Sequence, residues 1–375
     1  MNENPCLVIK YWGVRGSIPC PLLPDQIKAK QIALIHKMIQ DGGMETILGK
    51  NPSGEQIEQY LATLPTSISS TYGGDTTCFE IQAKNSPLII LDAGTGIRML
   101  GRTLLARLFS EQNLNPLSAN SETAQDIHLF FTHYHWDHIQ GFPFFAPAFV
   151  PGKKKVGMHF YGKRDARVEL SEVLKGQQQF PNFPVIWEDM PCQKHYLELR
   201  RLNPRKIKLG ELEISYQELT HPDFVFAYRF EVGGKAFVCA TDTEHKDTPD
   251  PRLVKLAQDA DILYYDAHYT PEEYRGTPGS LTGAMNKFDW GHSTYEWGIK
   301  NALAANVKTV VLGHHEPLRD DFQLQELWER ALSYTEKQLK MPQNADKKLE
   351  VVMAYQGLEH KLYAKFDESL HQENR

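Results

Sequence analysis

Short apolar runs, broken by Gly, Pro and Asp, recur along this 375-residue chain and predict strands. They fall at Cys6–Tyr11, Cys78–Ala83, Leu88–Leu91, Ile127–Phe131, Val156–Tyr161, Leu212–Tyr216, Phe226–Val232, Ala236–Ala240, Ile262–Tyr265, Thr309–Leu312 and Leu349–Tyr355. Apolar residues return at helical spacing over Ile97–Phe109, Ala166–Leu174, Leu253–Asp259, Thr294–Ala305 and Phe322–Leu339. Strands interleaved with helices predict an α/β fold with helices outside stacked sheets. Residues 21–70 break that rhythm. Asp25–Gln40 sets Ile27, Ile32, Ile35 and Ile39 at helical spacing, Gly42-Gly43 supplies a stop, and Glu55–Leu61 reads as a second helix.

Polar side chains gather where the apolar runs end. Thr132–His138 follows Ile127–Phe131 and offers His133, His135, Asp137 and His138, four candidate ligands in six residues. Imidazoles mixed with carboxylate suit zinc, manganese or iron, whereas carboxylates alone would favour magnesium or calcium. His221 follows Leu212–Tyr216, Asp242 follows Ala236–Val238, and His314 closes Val310–Gly313. A histidine-rich surface loop is the plainer explanation of the first cluster. Four matching settings along one chain argue against it.

The signature His133-x-His135-x-Asp137-His138 with later His, Asp and His resembles the metallo-β-lactamase-fold hydrolase superfamily. Trp290–Thr294, followed by a helix and Val307–His314, is similar to the phosphodiesterase branch that includes ribonuclease Z. Tyr11–Pro19, Tyr72–Cys78, Leu91–Gly96 and Asp266–Tyr274 narrow the likeness to cyclic-nucleotide-phosphodiesterase-like metallohydrolases, over residues 6 to 365. The resemblance implies a four-layered αββα sandwich, one domain over residues 1–375, with metals at one edge between the sheets. It also makes residues 21–70 a helical insertion, because the family's core joins these strands by a shorter connection. That insertion is either a surface elaboration or a lid or dimer contact, since glycine-rich motifs flank it on both sides.

By the same resemblance, His133, His135 and His221 hold one divalent ion, Asp137, His138 and His314 hold a second, and Asp242 bridges them. Zinc or manganese is expected, with iron admitted by the same donors. A hydroxide shared by such ions attacks phosphorus, and Asp137 can take a proton from the nucleophile. His292, in a Gly-His-Ser-Thr turn at a helix start, is expected to contact the scissile phosphate and protonate the leaving oxygen. Asp92 and Asp266 are candidates to accept hydrogen bonds from metal-bound imidazoles, with turn chemistry as the alternative. Arg15, Ser17, Asp75 and Thr76 are weaker candidates to line the pocket, Arg15 by gripping a phosphate, and loop structure is the first reading for all four. Ser293 and Thr294 either cap a helix or touch phosphate, capping first. His268 stands where the resembling group often has glutamine, so its role stays open. His36, His128, His159, His195, His245 and His360 read as structural or surface residues. Phe142–Phe149 reads as core under the site before it reads as a base-stacking surface.

A net charge of −6 argues against a general nucleic-acid coat. Five scattered cysteines without CxxC spacing read as reduced thiols, and no signal-like or membrane-length segment is evident, so a cytoplasmic enzyme without membrane contact is expected. The leading expectation is a dinuclear metal-dependent phosphodiesterase for a small, cyclic nucleotide, with a homodimer open. RNA is disfavoured because no basic, glycine-rich arm lies between Asp137 and His221. The alternatives are an RNA-processing endonuclease of ribonuclease Z type, a lactone or thioester hydrolase, and a non-catalytic metal-binding sensor.

Overall fold

In a computed structural model, residues 4–118, 125–164, 167–200 and 206–364 are described. They form two seven-stranded sheets. In spatial order the first contains β14 (Glu359–Leu362), β1 (Leu7–Gly13), β2 (Cys78–Ala83), β3 (Leu88–Leu91), β4 (Asp126–Phe130), β5 (Gly157–Lys163) and β6 (Gln193–Leu199). The second runs β13 (Glu350–Met353), β12 (Thr309–Gly313), β11 (Ile262–Asp266), β10 (Lys235–Ala240), β9 (Val225–Val232), β8 (Leu212–Leu219), β7 (Lys206–Leu209). Strands β3 to β6 pair in parallel, as do β10 to β13.

Three layers of buried side chains hold this arrangement together. Ile9, Tyr11, Phe79, Phe130, Tyr228, Phe230, Phe237 and Tyr264 fill the space between the sheets, with aromatic edges meeting faces, as for Phe79 on Tyr264 at 4.8 Å. Outside the first sheet, Ile97, Leu100, Leu104 and Leu108 of the helix Ile97–Phe109 cover Ile90, Leu129 and Phe160. Outside the second, the helices Pro251–Leu256, Tyr295–Ala304 and Asp321–Leu339 cover Val238, Leu263 and Val310. The result is the expected αββα sandwich. Phe142 and Phe145 lie wholly buried in the outer core of the first sheet, so the aromatic stretch is packing, with only Phe144 exposed among its large side chains.

All eleven expected strands are present. β6, β7 and β14 were not expected, and all three are sheet edges with largely exposed side chains. The helix expected over Ala166–Leu174 runs Leu170–Gly176, and Asp165 and Ala166 lie outside the described residues. Residues 21–70 fold into four helices, Pro24–Gln40, Met44–Leu48, Gly54–Ala62 and Thr66–Ser69. The first buries no residue, and Lys30 ties it to the rest by an ion pair with buried Asp321 at 2.7 Å.

Candidate metal centre

The candidate ligands all leave strands that end at one edge of the sandwich. The loop and short helix Trp136–Ile139 after β4 carry His133, His135, Asp137 and His138. His221 follows β8, Asp242 follows β10, and His314 follows β12. Asp92, Asp242 and His314 take φ of 60°, 50° and 56°, a left-handed conformation that residues with a Cβ seldom adopt. Backbone strain of this kind persists where surrounding structure enforces it, and it is common at working sites.

The side chains converge as two groups. His133, His135 and His221 bring ring nitrogens within 4.8 Å of one another, and Asp137, His138, Asp242 and His314 do the same with their ligand atoms. Asp242 lies between the groups. Its Oδ1 is 3.8 Å from His133 Nε2 and 3.2 Å from His314 Nε2, and its Oδ2 is 3.1 Å from His138 Nε2.

The donors fit divalent ions. His133 Nε2 and both nitrogens of His221 are buried and have no hydrogen-bond partner among the described residues. His138 Nε2 and His314 Nε2 face each other at 3.3 Å, each also against Asp137 Oδ2 at 3.3 and 3.2 Å. Unpartnered buried nitrogens are costly, and cations coordinated by both imidazole and carboxylate relieve that cost. Asp92 Oδ2 faces His138 Nδ1 at 2.8 Å, which turns Nε2 into the cluster. Asp92 itself accepts from Thr132 N and Oγ1, both at 2.8 Å. Burial works against charge on His138, but Asp242, Asp137 and Asp92 together hold its imidazole well above the usual range. Burial, helped by neighbouring imidazoles and opposed by Asp242, pushes His221 down to about 4, which keeps this candidate ligand unprotonated at neutral pH.

His292 sits at the rim of this cluster, 3.9 Å from Asp242 Oδ1. Asp266 Oδ2 faces its Nδ1 at 2.9 Å. Burial opposes the charged imidazole, yet Asp266, then Asp242 and Asp137, raise it to about 9. His268 stacks on His292 with ring centres 4.4 Å apart and 15° between planes, and its Nδ1 bonds the His314 carbonyl at 2.8 Å.

The weaker candidates divide between the readings open to them. Asp266 serves His292, not a ligand imidazole, since His314 Nδ1 stays 3.8 Å away. Arg15 takes the loop reading: its guanidinium is buried and donates to the carbonyls of Gly73, Glu316 and Arg319 at 2.8, 3.2 and 2.8 Å, joining three loops. Thr76 and Thr95 exchange backbone N–H and side-chain oxygen at 2.9 Å, and Asp75 accepts from Gln356 at 2.8 Å, so both are loop ties. Ser17 is exposed at the mouth, with φ 63°, and touches the site through its backbone N–H, which donates to Asp137 Oδ2 at 2.8 Å. Ser293 is buried and neither caps nor faces solvent: its Oγ meets His245 Nδ1 at 2.8 Å and Tyr265 OH at 3.0 Å. Thr294 is the N-cap residue but makes no side-chain cap bond. Reading the sequence also missed Asp223, 3.3 Å from His135 Nε2, and two exposed indoles beside the ligands, Trp136 (71%) and Trp290 (48%).

A family model described as a beta-lactamase superfamily domain matches residues 88–315. The chain belongs to that family. It is 22% identical over 245 residues to the ribonuclease Z of Prochlorococcus marinus (strain AS9601), covering 54% of this chain and 74% of that one. The ribonuclease Z of Oenococcus oeni (strain ATCC BAA-331 / PSU-1) is 27% identical over 247 residues, 53% of this chain and 71% of its own. Among solved structures, a diphosphatase of the PhnP family aligns with a TM-score of 0.54 at 15% identity, over 96% of this chain and all of that one. Human tRNase Z, short form, aligns at 0.53 and 14%, over 95% and 99%. At such identities these structures speak for the fold alone. The likeness to the metallo-β-lactamase fold and its ribonuclease Z-like branch is therefore borne out, and with it the expectation of a metal-dependent hydrolase.

Proposed function

We propose that this member of the family is a dinuclear metal-dependent phosphodiesterase acting on a small nucleotide, a cyclic one first. The observation that carries the reading is the Asp266–His292 pair, which sets a cationic imidazole beside a ligand cluster, as a phosphodiester anion requires. A lactone or thioester has no such need.

Zinc or manganese ions, or iron, would be held by His133, His135 and His221 on one side and Asp137, His138 and His314 on the other, with Asp242 shared. Bound there, they supply a nucleophile at neutral pH and offset charge on the phosphoryl oxygens. The chain's own groups do the rest. Asp92 fixes the His138 ring through Nδ1. Asp137, anchored by the Ser17 N–H, accepts a proton from the nucleophile. His292 holds a phosphoryl oxygen through its charge and passes its Nε2 proton to the leaving oxygen. Trp136 is largely exposed and Trp290, with Lys287 Nζ over one face at 4.7 Å, is half exposed, and a base can stack on the free indole surface.

RNA stands as the second substrate. The expectation that RNA is disfavoured finds no support among the relatives, since those matched over half of this chain are ribonuclease Z. A cytoplasmic setting accords with five free cysteines, and no helix among the described residues is long and apolar enough to cross a membrane. The deciding assay uses bis(p-nitrophenyl) phosphate, cAMP, cGMP and a precursor tRNA with metal-stripped and metal-reloaded protein. Metal-dependent turnover of a cyclic nucleotide supports the reading, turnover of tRNA alone selects the second, and inertness on every diester with two metals bound overturns both.

A further inference from the structure

The turn that delivers His292 does not hold itself. Asp289 and Gly291 take φ of 64° and 86°, and neither amide is used in a helix or sheet ladder. Both are captured by one buried carboxylate: Glu244 Oε1 accepts from Asp289 N at 2.8 Å, and Oε2 accepts from Gly291 N at 3.0 Å. Tyr274 OH also donates to Oε1, and the Glu244 amide donates to the Thr220 carbonyl at 2.8 Å, next to His221. The next residue, His245, takes the far side of the turn. Its Nδ1 meets Ser293 Oγ at 2.8 Å while its ring stacks on Trp297 at 5.0 Å and 20°. Two consecutive residues, just beyond Asp242, thus bracket His292.

Gly291 links this bracket to the ligand cluster. A Cβ there would lie 2.4 Å from His221 Cδ2 and 2.9 Å from its Nε2, so the Gly291 backbone is pressed on that imidazole. His138 has Asp92 to fix its ring, but neither nitrogen of His221 has a hydrogen-bond partner among the described residues. The orientation of His221 therefore depends on packing against a backbone that Glu244 holds in place.

We infer that Glu244 is a positioning residue for both His221 and His292, coupling one ligand of the first ion to the general acid, with His245 locking the other end of the turn. The inference rests on the roles given to His221 and His292 above. Loss of a group that orients a ligand costs about 10- to 100-fold in metal affinity or activity. A residue that only stabilised the loop would lower thermal stability without favouring either ion.

The test is a competitive zinc titration of full-length wild type, Glu244→Ala, Glu244→Gln and Gly291→Ala against a chromophoric chelator, with the thermal midpoint of each metal-free protein. Glu244→Ala should weaken one zinc equivalent about 10- to 100-fold and leave the other near wild type. Glu244→Gln keeps one acceptor oxygen and should fall between. Gly291→Ala, which drives a methyl into His221, should weaken the same equivalent. Wild-type affinity at both sites in the variants overturns the inference, as does equal weakening of both sites in step with thermal stability. If Glu244→Ala does not fold, the other two variants are read by the same criteria. The titration needs no substrate: wild type that binds two zinc ions but cleaves no diester sinks the phosphodiesterase reading and leaves the role of Glu244 to be judged on metal affinity.

Discussion

Replacing Asp266 by Asn tests the proposed acid at its source. The carboxylate is fully buried and accepts from His292 Nδ1 at 2.9 Å, His268 N at 3.0 Å and Ser293 N at 3.2 Å. Asn keeps the size and one acceptor oxygen but loses the charge. Opposite unit charges at about 4 Å and an effective dielectric near 20 interact by roughly 4 kcal/mol, about three pK units. That is enough to outweigh burial and account for most of the rise of His292 to about 9. Without it, the imidazole should return to about 6.5 or below. The protonated form is the active one, so activity is full below this pKa and is lost as pH rises through it. Asp266→Asn should therefore lose kcat at a pH about two to three units below that at which wild type does. Well below both pKa values the two proteins should be alike, and the loss should deepen as pH rises through the variant's pKa. Cations in the cluster offset Asp242 and Asp137 in both proteins, moving both profiles down together and preserving the difference. The assay needs a diester with an alkoxide leaving group, such as a cyclic nucleotide. A nitrophenolate departs without much help, so the nitrophenyl ester should show a smaller effect. A variant profile running parallel to wild type at a constant lower level would refute the argument.

Removing His135, which is 46% exposed but shares a ligand group with His133 and His221, should abolish one metal equivalent and cut turnover by at least about 100-fold. Elemental analysis still finding two ions per chain would remove it from the coordination set. Trp136→Ala and Trp290→Ala should raise KM for a nucleotide by roughly 5- to 100-fold where a stacked base is lost, and an unchanged KM in both excludes base stacking on these indoles. Deleting residues 22–69 should change oligomeric state or KM if the insertion is a dimer contact or lid. It exposes Ile32, Ile35 and Ile39 at 47%, 58% and 65% on its first helix. Sedimentation and kinetics indistinguishable from wild type would make it an ornament.

Most of the fold is legible in the chain because interior strands must be apolar. β3, Leu88–Leu91, is buried at every position and its short apolar run is unambiguous. The edge strands β6, β7 and β14 are not legible, and the reason is physical. Each has a partner on one side only and presents residues such as Lys194, His195, Lys206, Lys208 and Lys361. Charged side chains protect an open edge from pairing with another chain, and the same charges erase the apolar signal.

The site divides along a similar line. The candidate ligands sit at strand exits, so their type and setting make His133, Asp242 and His314 visible in one dimension. What orients them is a matter of three-dimensional contact, and residue type is a poor guide to it. Arg15 has the chemistry to grip phosphate, yet three backbone carbonyls and burial take up its guanidinium. His245, without any motif, holds the turn beside the proposed acid. Glu244 has an ordinary carboxylate for a loop and becomes consequential only because Asp289 and Gly291, 45 and 47 residues later, aim their amides at it. Side chains that carry chemistry are constrained by element and spacing, and can be read from order along the chain. Side chains that position them are constrained only by distance across it, which is why the partner of Asp266 is clear only from the 2.9 Å contact with His292.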